Sequence, residues 1–339
     1  MTLREGLTFE RLSPREQHAY GILLKAFSLQ QTTIDITDIS ADVELMKIVQ
    51  AVLCDNPPVF YFDSINIRTV TSSKNRKLEL TRIFSNSQLE KMNAELEKKV
   101  NKILSSVKLP SNDAYSQLIY LYEYLQSNVQ YDKKELEANA KGKGYNPISH
   151  IAYGALITKR AVCDGISFAF SLLAGKLGFK SMQASGYSQH GIAPEIEPSW
   201  NIIKVNNRYY HMDVTWDTNA YSQHDVFSYD YFALDDDEIS NDHDWDINAT
   251  PACSFNDLSY FHRNGLFANN MNQLNDIIRN SCANNRIFRV KLSYNIKLPE
   301  NVEEFIAQKF LDELIKYKKQ AEISFNWNKH TRCFFAKLV

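Results

Sequence analysis

A cysteine at the start of an apolar helix is the residue in this sequence that most readily suggests chemistry. The stretch RAVCDGISFAFSLLAGKLG places Cys163 immediately before or inside the first turn of a predicted helix. Unpaired backbone N–H groups and the positive end of the helix dipole favour thiolate over thiol, and the thiolate is the nucleophile. Gly165 lacks a side chain, so another backbone segment or a substrate could approach it closely. An isolated cysteine at a helix start is nevertheless more often a small packing residue.

A hairpin downstream supplies positions for the other groups that thiol chemistry needs. SWNIIKV and RYYHMDV flank Asn206 and Asn207, a pair that suits a two-residue type I′ turn. In that register Trp200 faces Asp213, and residues 198, 200 and 202 share a face with 211, 213 and 215. A base at position 198 would lie diagonally next to Asp213. A cysteine at a helix start, a base on one strand and an acid on the next form the arrangement of thiol proteases.

The blocks VCDGISFAF, PSWNIIKV and HMDVTWD occur in the order and at the spacing found in the transglutaminase-like superfamily, relatives of the papain-type cysteine peptidases. Residues 112–245 resemble this family, and the resemblance extends to SHIAYGAL upstream and to His243. It implies that Cys163 is the nucleophile and Asp213 the orienting acid. It also implies that Trp200, Asn201 and Gly165 line the cleft.

The sequence departs from the family pattern at the base. The family motif reads His-Ala-Trp-Asn, and its histidine falls on Pro198, which cannot accept a proton. A replacement base would have to come from elsewhere. His190, in the Gly- and Pro-containing loop before the strand, is a weak candidate, and His211, on the same strand face as Asp213 but roughly 7 Å along, is a weaker one. The carboxylates Glu195 and Glu197 are poorer bases for a thiol.

Composition bounds the remaining functions. The chain has 339 residues, 44% of them hydrophobic and 12% aromatic, which is enough for two or three regions with apolar cores. The net charge is -2 and no long basic stretch stands out, so neither nucleic acid nor an anionic membrane is expected as a partner. No stretch approaches the ~20 apolar residues of a membrane span, and the N-terminus has no apolar run typical of a signal peptide. A cytoplasmic location is the expectation, and the oligomeric state is open.

The five cysteines are odd in number and scattered, which favours free thiols in a reducing compartment. A metal site built from Cys163, His211 and Asp213 would lack the paired CxxC or HxxxH spacing that makes such sites recognisable. No glycine-rich phosphate-binding motif is present. We therefore expect no metal and no cofactor.

The pattern of elements predicts an α+β protein in three parts. Residues 1–108 form an N-terminal α/β region, and residues 109–250 form a transglutaminase-like, papain-like core in which the helix of Cys163 packs on an antiparallel sheet. Residues 251–339 form a small α+β domain. Helices are expected from Ser13-Pro14, from an N-cap at Ser87 and from Asn112 or Asp113.

Two functions follow from these residues. The first is a non-catalytic or weakly active descendant that binds a peptide or protein segment in the former active-site cleft. The alternative is an active thiol enzyme that acts on amide bonds through a Cys163 acyl-enzyme and uses a relocated base. Loss of the base normally costs several powers of ten in rate, which favours the first.

Overall fold

The computed structural model describes residues 3–105, 113–140, 145–188, 198–284, 287–317 and 323–338. These residues form a mixture of helices and strands, which confirms the α+β prediction. The α-helices are α1 Pro14–Ser28, α2 Leu45–Asp55, α3 Asn86–Ser105, α4 Ala114–Asn128, α5 Lys133–Ala140, α6 Cys163–Lys176, α7 Val214–His224, α8 Asp236–Ile239, α9 Tyr260–Arg263, α10 Met271–Asn284 and α11 Val302–Lys316. The strands are β1 Thr33–Asp35, β2 Phe62–Thr71, β3 Arg76–Arg82, β4 Gln130–Tyr131, β5 Arg160–Ala161, β6 Lys180–Ser188, β7 Ser199–Val205, β8 Arg208–Met212, β9 Phe232–Leu234, β10 His243–Trp245, β11 Phe267–Ala268, β12 Ile287–Leu292, β13 Ile323–Asn328 and β14 Cys333–Leu338.

Side-chain caps fix the helix starts. Ser13 and Glu16 form a reciprocal capping box at the start of α1, as Ser13-Pro14 predicts. Asp113 caps α4 by accepting from the backbone N–H of Ser116. The predicted cap at Ser87 is wrong: Ser85 Oγ accepts from Gln88 N at 3.2 Å, so α3 begins at Asn86. The Gln88 side chain completes a capping box there by accepting from the backbone N–H of Ser85 at 2.8 Å.

A five-stranded antiparallel sheet lies at the centre of the fold, with strand order β10-β6-β7-β8-β9. The β7–β8 hairpin has the predicted register, since Val205 pairs with Arg208. Asn206 and Asn207 have φ values of 49° and 63°, the left-handed conformation that a type I′ turn requires. The second strand is shorter than the family motif suggests: β8 ends at Met212, and the segment after Asp213 forms α7 because Asp213 caps a helix there.

Helix α6 packs across β7 through a row of hydrogen bonds, called here the polar seam, that involves Ser167, Ser171 and Asn201. Ser167 Oγ donates to the carbonyl of Ser199 at 2.9 Å. Asn201 Nδ2 donates to the carbonyl of Ser167 at 3.1 Å and to Ser171 Oγ at 2.9 Å. Cys163, Ser167 and Ser171 are four residues apart, so they share one helix face. This seam places the first residue of α6 against the beginning of β7.

The flanking regions differ in how they bury their apolar residues. The N-terminal sheet has the order β1-β3-β2, and its apolar residues belong to the same cluster as those of α4 and α6. The C-terminal sheet, β11-β12-β14-β13, and helices α10 and α11 enclose a second cluster of their own. The boundaries at 108/109 and 250/251 remain predictions. No helix in the described part of the chain is long and apolar enough to cross a membrane.

Candidate functional site

Cys163 is the first residue of α6, as its sequence context predicts, and is 7% exposed. Val162 precedes it in an extended conformation, and the backbone N–H of Val162 donates to the carbonyl of Ser149 at 3.0 Å. Gly165 permits this packing. A Cβ at Gly165 would lie 2.5 Å from the Ser149 carbonyl oxygen, so the close approach expected at this glycine is made by backbone.

The electrostatic environment of Cys163 opposes the thiolate. Burial, followed by the negative charges of Asp164 and Asp213, raises the pKa of the Cys163 thiol well above its usual value. Hydrogen bonds from the backbone of Ser199 and Asp164 act in the opposite direction but are outweighed. The low pKa expected of a catalytic cysteine at a helix start is therefore not found, because desolvation exceeds the effect of the helix terminus.

Both carboxylate oxygens of Asp213 have structural partners. Its Oδ1 accepts from the backbone N–H of Trp216 at 3.0 Å, which caps α7. Its Oδ2 lies 3.0 Å from Nε2 of His243, and the side chain is 1% exposed. The residue that matches the family's orienting acid thus holds a helix start and a buried histidine.

His243 lies between two carboxylates inside the core. Its Nε2 faces Asp213 and its Nδ1 lies 2.6 Å from Oδ1 of Asp242, with both partners buried. Burial alone would lower the pKa of His243, but hydrogen bonds and charge attraction from the two aspartates outweigh it and raise the pKa to about 9. The rings of Trp200 and Trp216 lie 4.9 and 4.5 Å from its ring. Because both ring nitrogens donate to carboxylates, His243 has no lone pair for a thiol proton.

Trp200 fixes the protonation of His211. The indole N–H donates to Nδ1 of His211 at 2.9 Å, and Nε2 of His211 lies 2.8 Å from Oδ1 of Asp236. An indole can only donate, so Nδ1 must be the acceptor and Nε2 carries the proton that is donated to Asp236. Burial lowers the pKa of His211, consistent with the neutral ring. His211, the weaker candidate base, therefore has no available lone pair in this geometry.

One group in the described residues has the composition of a metal site. Ligand atoms of His211, Asp236 and Cys253 all lie within 4.8 Å of one another. The indole of Trp200 opposes metal binding there, since a histidine bound through Nε2 normally donates from Nδ1, and here Nδ1 accepts. The backbone N–H of Cys253 also occupies the second oxygen of Asp236 at 2.9 Å. The donor set does not fit a resident ion.

The remaining predicted residues are buried. Pro198 precedes β7, and its carbonyl accepts from Gly186 N at 3.1 Å. Trp200 and Asn201 are 0% and 1% exposed and pack inside the core, so their contribution to a ligand cleft stays a prediction. Gly165 is likewise covered, by the Ser149 carbonyl. His190, Glu195 and Glu197 lie outside the described residues.

A cleft of about 280 Å³ opens beside the start of α6, between the core and the N-terminal region. His150 lies on its wall, with Nδ1 3.2 Å from Oδ2 of Asp164 and Nε2 3.3 Å from Oε1 of Glu135. Burial would lower the pKa of His150, but these two carboxylates raise it above its usual value. As in His243, both ring nitrogens face carboxylates. The residues that line the cleft are Gln50, Leu53, Pro57, Val59, Phe60, Phe62, Ser64, Ile83, Tyr145, Pro147, His150, Ile151, Asp164 and Phe168.

Local sequence patterns do not indicate the histidine partners of Asp213 and Asp164. His243 is indicated only by the family resemblance, although one of its two partners, Asp242, is its neighbour in NDHDW. Its approach to Asp213 depends on β10 pairing with β6, with His243 opposite Ser188. The contact between His150 and Asp164 likewise depends on the loop before α6 folding back, which no local pattern indicates.

Comparison with protein-family models gives a match to the central part of the chain. Residues 101–214 match a family model described as the transglutaminase-like superfamily, a range that includes Cys163 and Asp213 but ends before His243. A search of curated proteins found no match.

Solved structures with similarity include a crystal structure of a TGase, at 9% identity and a TM-score of 0.32, with 44% of each chain covered. Another is a putative cysteine protease from Cytophaga hutchinsonii, at 10% identity and a TM-score of 0.27, covering 44% of this chain and 61% of that one. The chain thus spans less than two thirds of either structure. On the family match, residues 101–214 are a transglutaminase-like superfamily domain.

Proposed function

We propose that the chain is a non-catalytic or weakly active relative of the transglutaminase-like enzymes that binds a peptide or protein segment in the cleft at the start of α6. The single observation that carries this proposal is the engagement of Asp213. Its Oδ1 accepts from Trp216 N and its Oδ2 lies against Nε2 of His243, so the imidazole that it holds is one whose other nitrogen faces Asp242 rather than a thiol.

The surroundings of Cys163 support the same proposal. Pro198 stands where the resemblance predicts the base. Three imidazoles in the described part of the chain, those of His150, His211 and His243, have both ring nitrogens occupied. A buried thiol whose pKa is raised is a poor nucleophile at neutral pH. The cleft keeps an apolar lining and polar groups at its wall, which is the usual composition of a binding site.

Separate assays for acylation and for binding test this proposal. The protein is incubated with p-nitrophenyl acetate and with a glutamine-containing peptide, and adducts on Cys163 are sought by peptide mass spectrometry. We expect none above the level in Cys163→Ala. In parallel, the anisotropy of a fluorescein-labelled pool of random decapeptides should show binding that survives Cys163→Ala and weakens in Phe168→Ala, which removes part of the cleft wall.

Two results would overturn the proposal. An acyl-enzyme on Cys163 that disappears in Cys163→Ala would restore the thiol-enzyme alternative, with its base in the loop that contains His190. Absence of any binding by the parent protein, or binding indifferent to Phe168→Ala, would remove the cleft as the binding site.

A further inference from the structure

The cleft at the start of α6 has a negative charge that the lining residues described by the structure do not balance. Asp164 is its carboxylate, and the Asp164 side chain is 42% exposed. None of the described residues that line the cleft is Lys or Arg. Within the described residues, Asp164 forms an ion pair with His150, which also faces Glu135. Asp164, Glu135 and His150 together keep a net charge of about -1 even when the imidazole is protonated, although Glu135 is not itself a lining residue.

The apolar part of the cleft lies beside this charge. Asp164 and Phe168 are four residues apart in α6, so they lie on the same helix face. Phe168 is half-buried and exposes part of its ring, while the half-buried Tyr145 lies against His150 with ring centres 4.7 Å apart. Leu53 and Phe60 complete an apolar wall from the N-terminal region. The cleft therefore presents aromatic and aliphatic surface next to a partly exposed carboxylate.

The size of the cleft limits what it can hold. About 280 Å³ is slightly below the roughly 300–1,000 Å³ of pockets that enclose whole small-molecule ligands. It is suited to one or two side chains of a longer segment. Of the natural side chains, arginine combines a methylene stem that packs on apolar surface with a planar cation that stacks on aromatic rings and pairs with a carboxylate through two N–H groups.

We propose that this cleft binds an arginine side chain of a peptide segment, with the guanidinium against Asp164 and the stem against Phe168 and Tyr145. The proposal rests on the peptide-binding function proposed above and specifies its ligand. Cation–aromatic contact and a charge-assisted hydrogen bond would together favour arginine over a neutral residue of the same shape.

A pair of peptides that differ only in charge tests the proposal. The probes are fluorescein-labelled Gly-Ala-Arg-Ala-Gly and the same peptide with citrulline, which keeps the shape of arginine and removes its charge. By anisotropy with the full chain, we expect the citrulline peptide to bind about tenfold more weakly or worse, the size expected from losing a hydrogen bond between charged groups. Asp164→Asn should weaken arginine binding by a similar factor and leave citrulline binding unchanged.

The control variant is Asp276→Asn, an exposed aspartate of α10 that pairs with Arg279 far from the cleft in sequence. It should bind both peptides as the parent does. Comparison of the two peptides on the parent protein needs no variant, so the test holds even if Asp164→Asn fails to fold.

The results distinguish failure of the arginine proposal from failure of the proposed peptide-binding function. Equal affinity for the two peptides, still lowered by Phe168→Ala, would overturn the arginine proposal and leave peptide binding in the cleft intact. A preference for arginine that Asp164→Asn does not change would place the cation elsewhere and also overturn it. If neither these peptides nor the random decapeptide pool binds, the arginine proposal and the proposed function fail together.

Discussion

At the scale of single residues, the site is defined by which partners each polar group already has. Cys163 has the position of a nucleophile, but burial and neighbouring carboxylates raise its pKa. Asp213, predicted to be the orienting acid, is bound to a helix start and to His243. Retention of these two residue types therefore does not require retained catalysis, since each contributes to packing or hydrogen bonding where it lies.

His243 provides a test of the structural role of Asp213. Replacement His243→Leu leaves the buried carboxylates of Asp213 and Asp242 without their cation. We expect the free energy of unfolding to fall by about 3–5 kcal/mol, the usual cost of breaking a buried ion pair from one side. Chemical denaturation measures it, and His18→Leu, at an exposed histidine of α1, should change stability by no more than about 0.5 kcal/mol. A small effect at position 243 would contradict the assigned ion pair.

The pH dependence of this pair has a definite sign. Folding raises the pKa of His243 from 6.5 to about 9. Its contribution to stability is thus fully present below pH 6.5 and is lost as the pH rises through 9. In NMR titration the His243 ring should remain protonated at neutral pH and titrate near pH 9. A ring that is neutral at pH 7 would show that the two aspartates do not hold the proton.

At the scale of elements, the placement of α6 depends on the backbone that crosses its first turn. The carbonyl of Ser149 occupies the space that a side chain at Gly165 would need, and Ser167 and Asn201 tie the next turn to β7. The start of α6 is fixed by these contacts from both sides. Small displacements there would change the position of Cys163 and the shape of the neighbouring cleft.

Substitution of Gly165 tests this close approach. Gly165→Ala would place a methyl group 2.5 Å from the Ser149 oxygen and 2.9 Å from the Ala161 Cβ. We expect a loss of about 1–3 kcal/mol in unfolding free energy, the cost of overpacking. Gly21→Ala is the matched control: it lies in α1 with nothing within 4 Å of the added methyl group, so it should stabilise by roughly 0.5–1 kcal/mol. Equal effects of the two substitutions would disprove the packing assigned to Gly165.

The sequence predicted the elements around the site well because their signals are local. The apolar run after Cys163 predicted α6, and Asn206-Asn207 predicted the turn and register of the hairpin. What it could not predict are contacts made by distant segments. The pairing of β10 with β6 brings His243 to Asp213 across 30 residues, and the burial of Cys163 results from the assembled core. Proton positions and pKa shifts follow from those contacts.

At the scale of the whole molecule, a segment near the N-terminus ties the flanking region to the core. The buried carboxylate of Asp55 accepts from the backbone N–H groups of Gly6, Thr8 and Phe9 at 3.0–3.1 Å and from the hydroxyl of Tyr20 at 3.0 Å. Leu7, within this segment, is 1% exposed and belongs to the apolar cluster of Trp200. The segment therefore helps to cover the central sheet.

Loss of the Asp55 carboxylate should release this segment. We expect Asp55→Ala to lower the unfolding free energy by roughly 3 kcal/mol, because several buried donors lose their acceptor. Hydrogen exchange of the Gly6, Thr8 and Phe9 amides should accelerate more than exchange in α10. Asp276→Ala, at an exposed aspartate, is the control and should leave both quantities nearly unchanged. Unaltered protection of the three amides in Asp55→Ala would contradict this arrangement.

Alkylation of Cys163 by iodoacetamide as a function of pH measures whether this buried thiol has the raised pKa that its surroundings imply. Peptide mass spectrometry would follow the rate at Cys163 in the native protein, with the denatured protein as the reference for full reactivity. We expect the alkylation rate of Cys163 to rise with an inflection above about pH 8.5, the pKa of an ordinary cysteine, or no alkylation under native conditions. An inflection well below about 8.5 that moves upward in His190→Ala would contradict a raised pKa for Cys163. It would establish a thiolate–imidazolium pair.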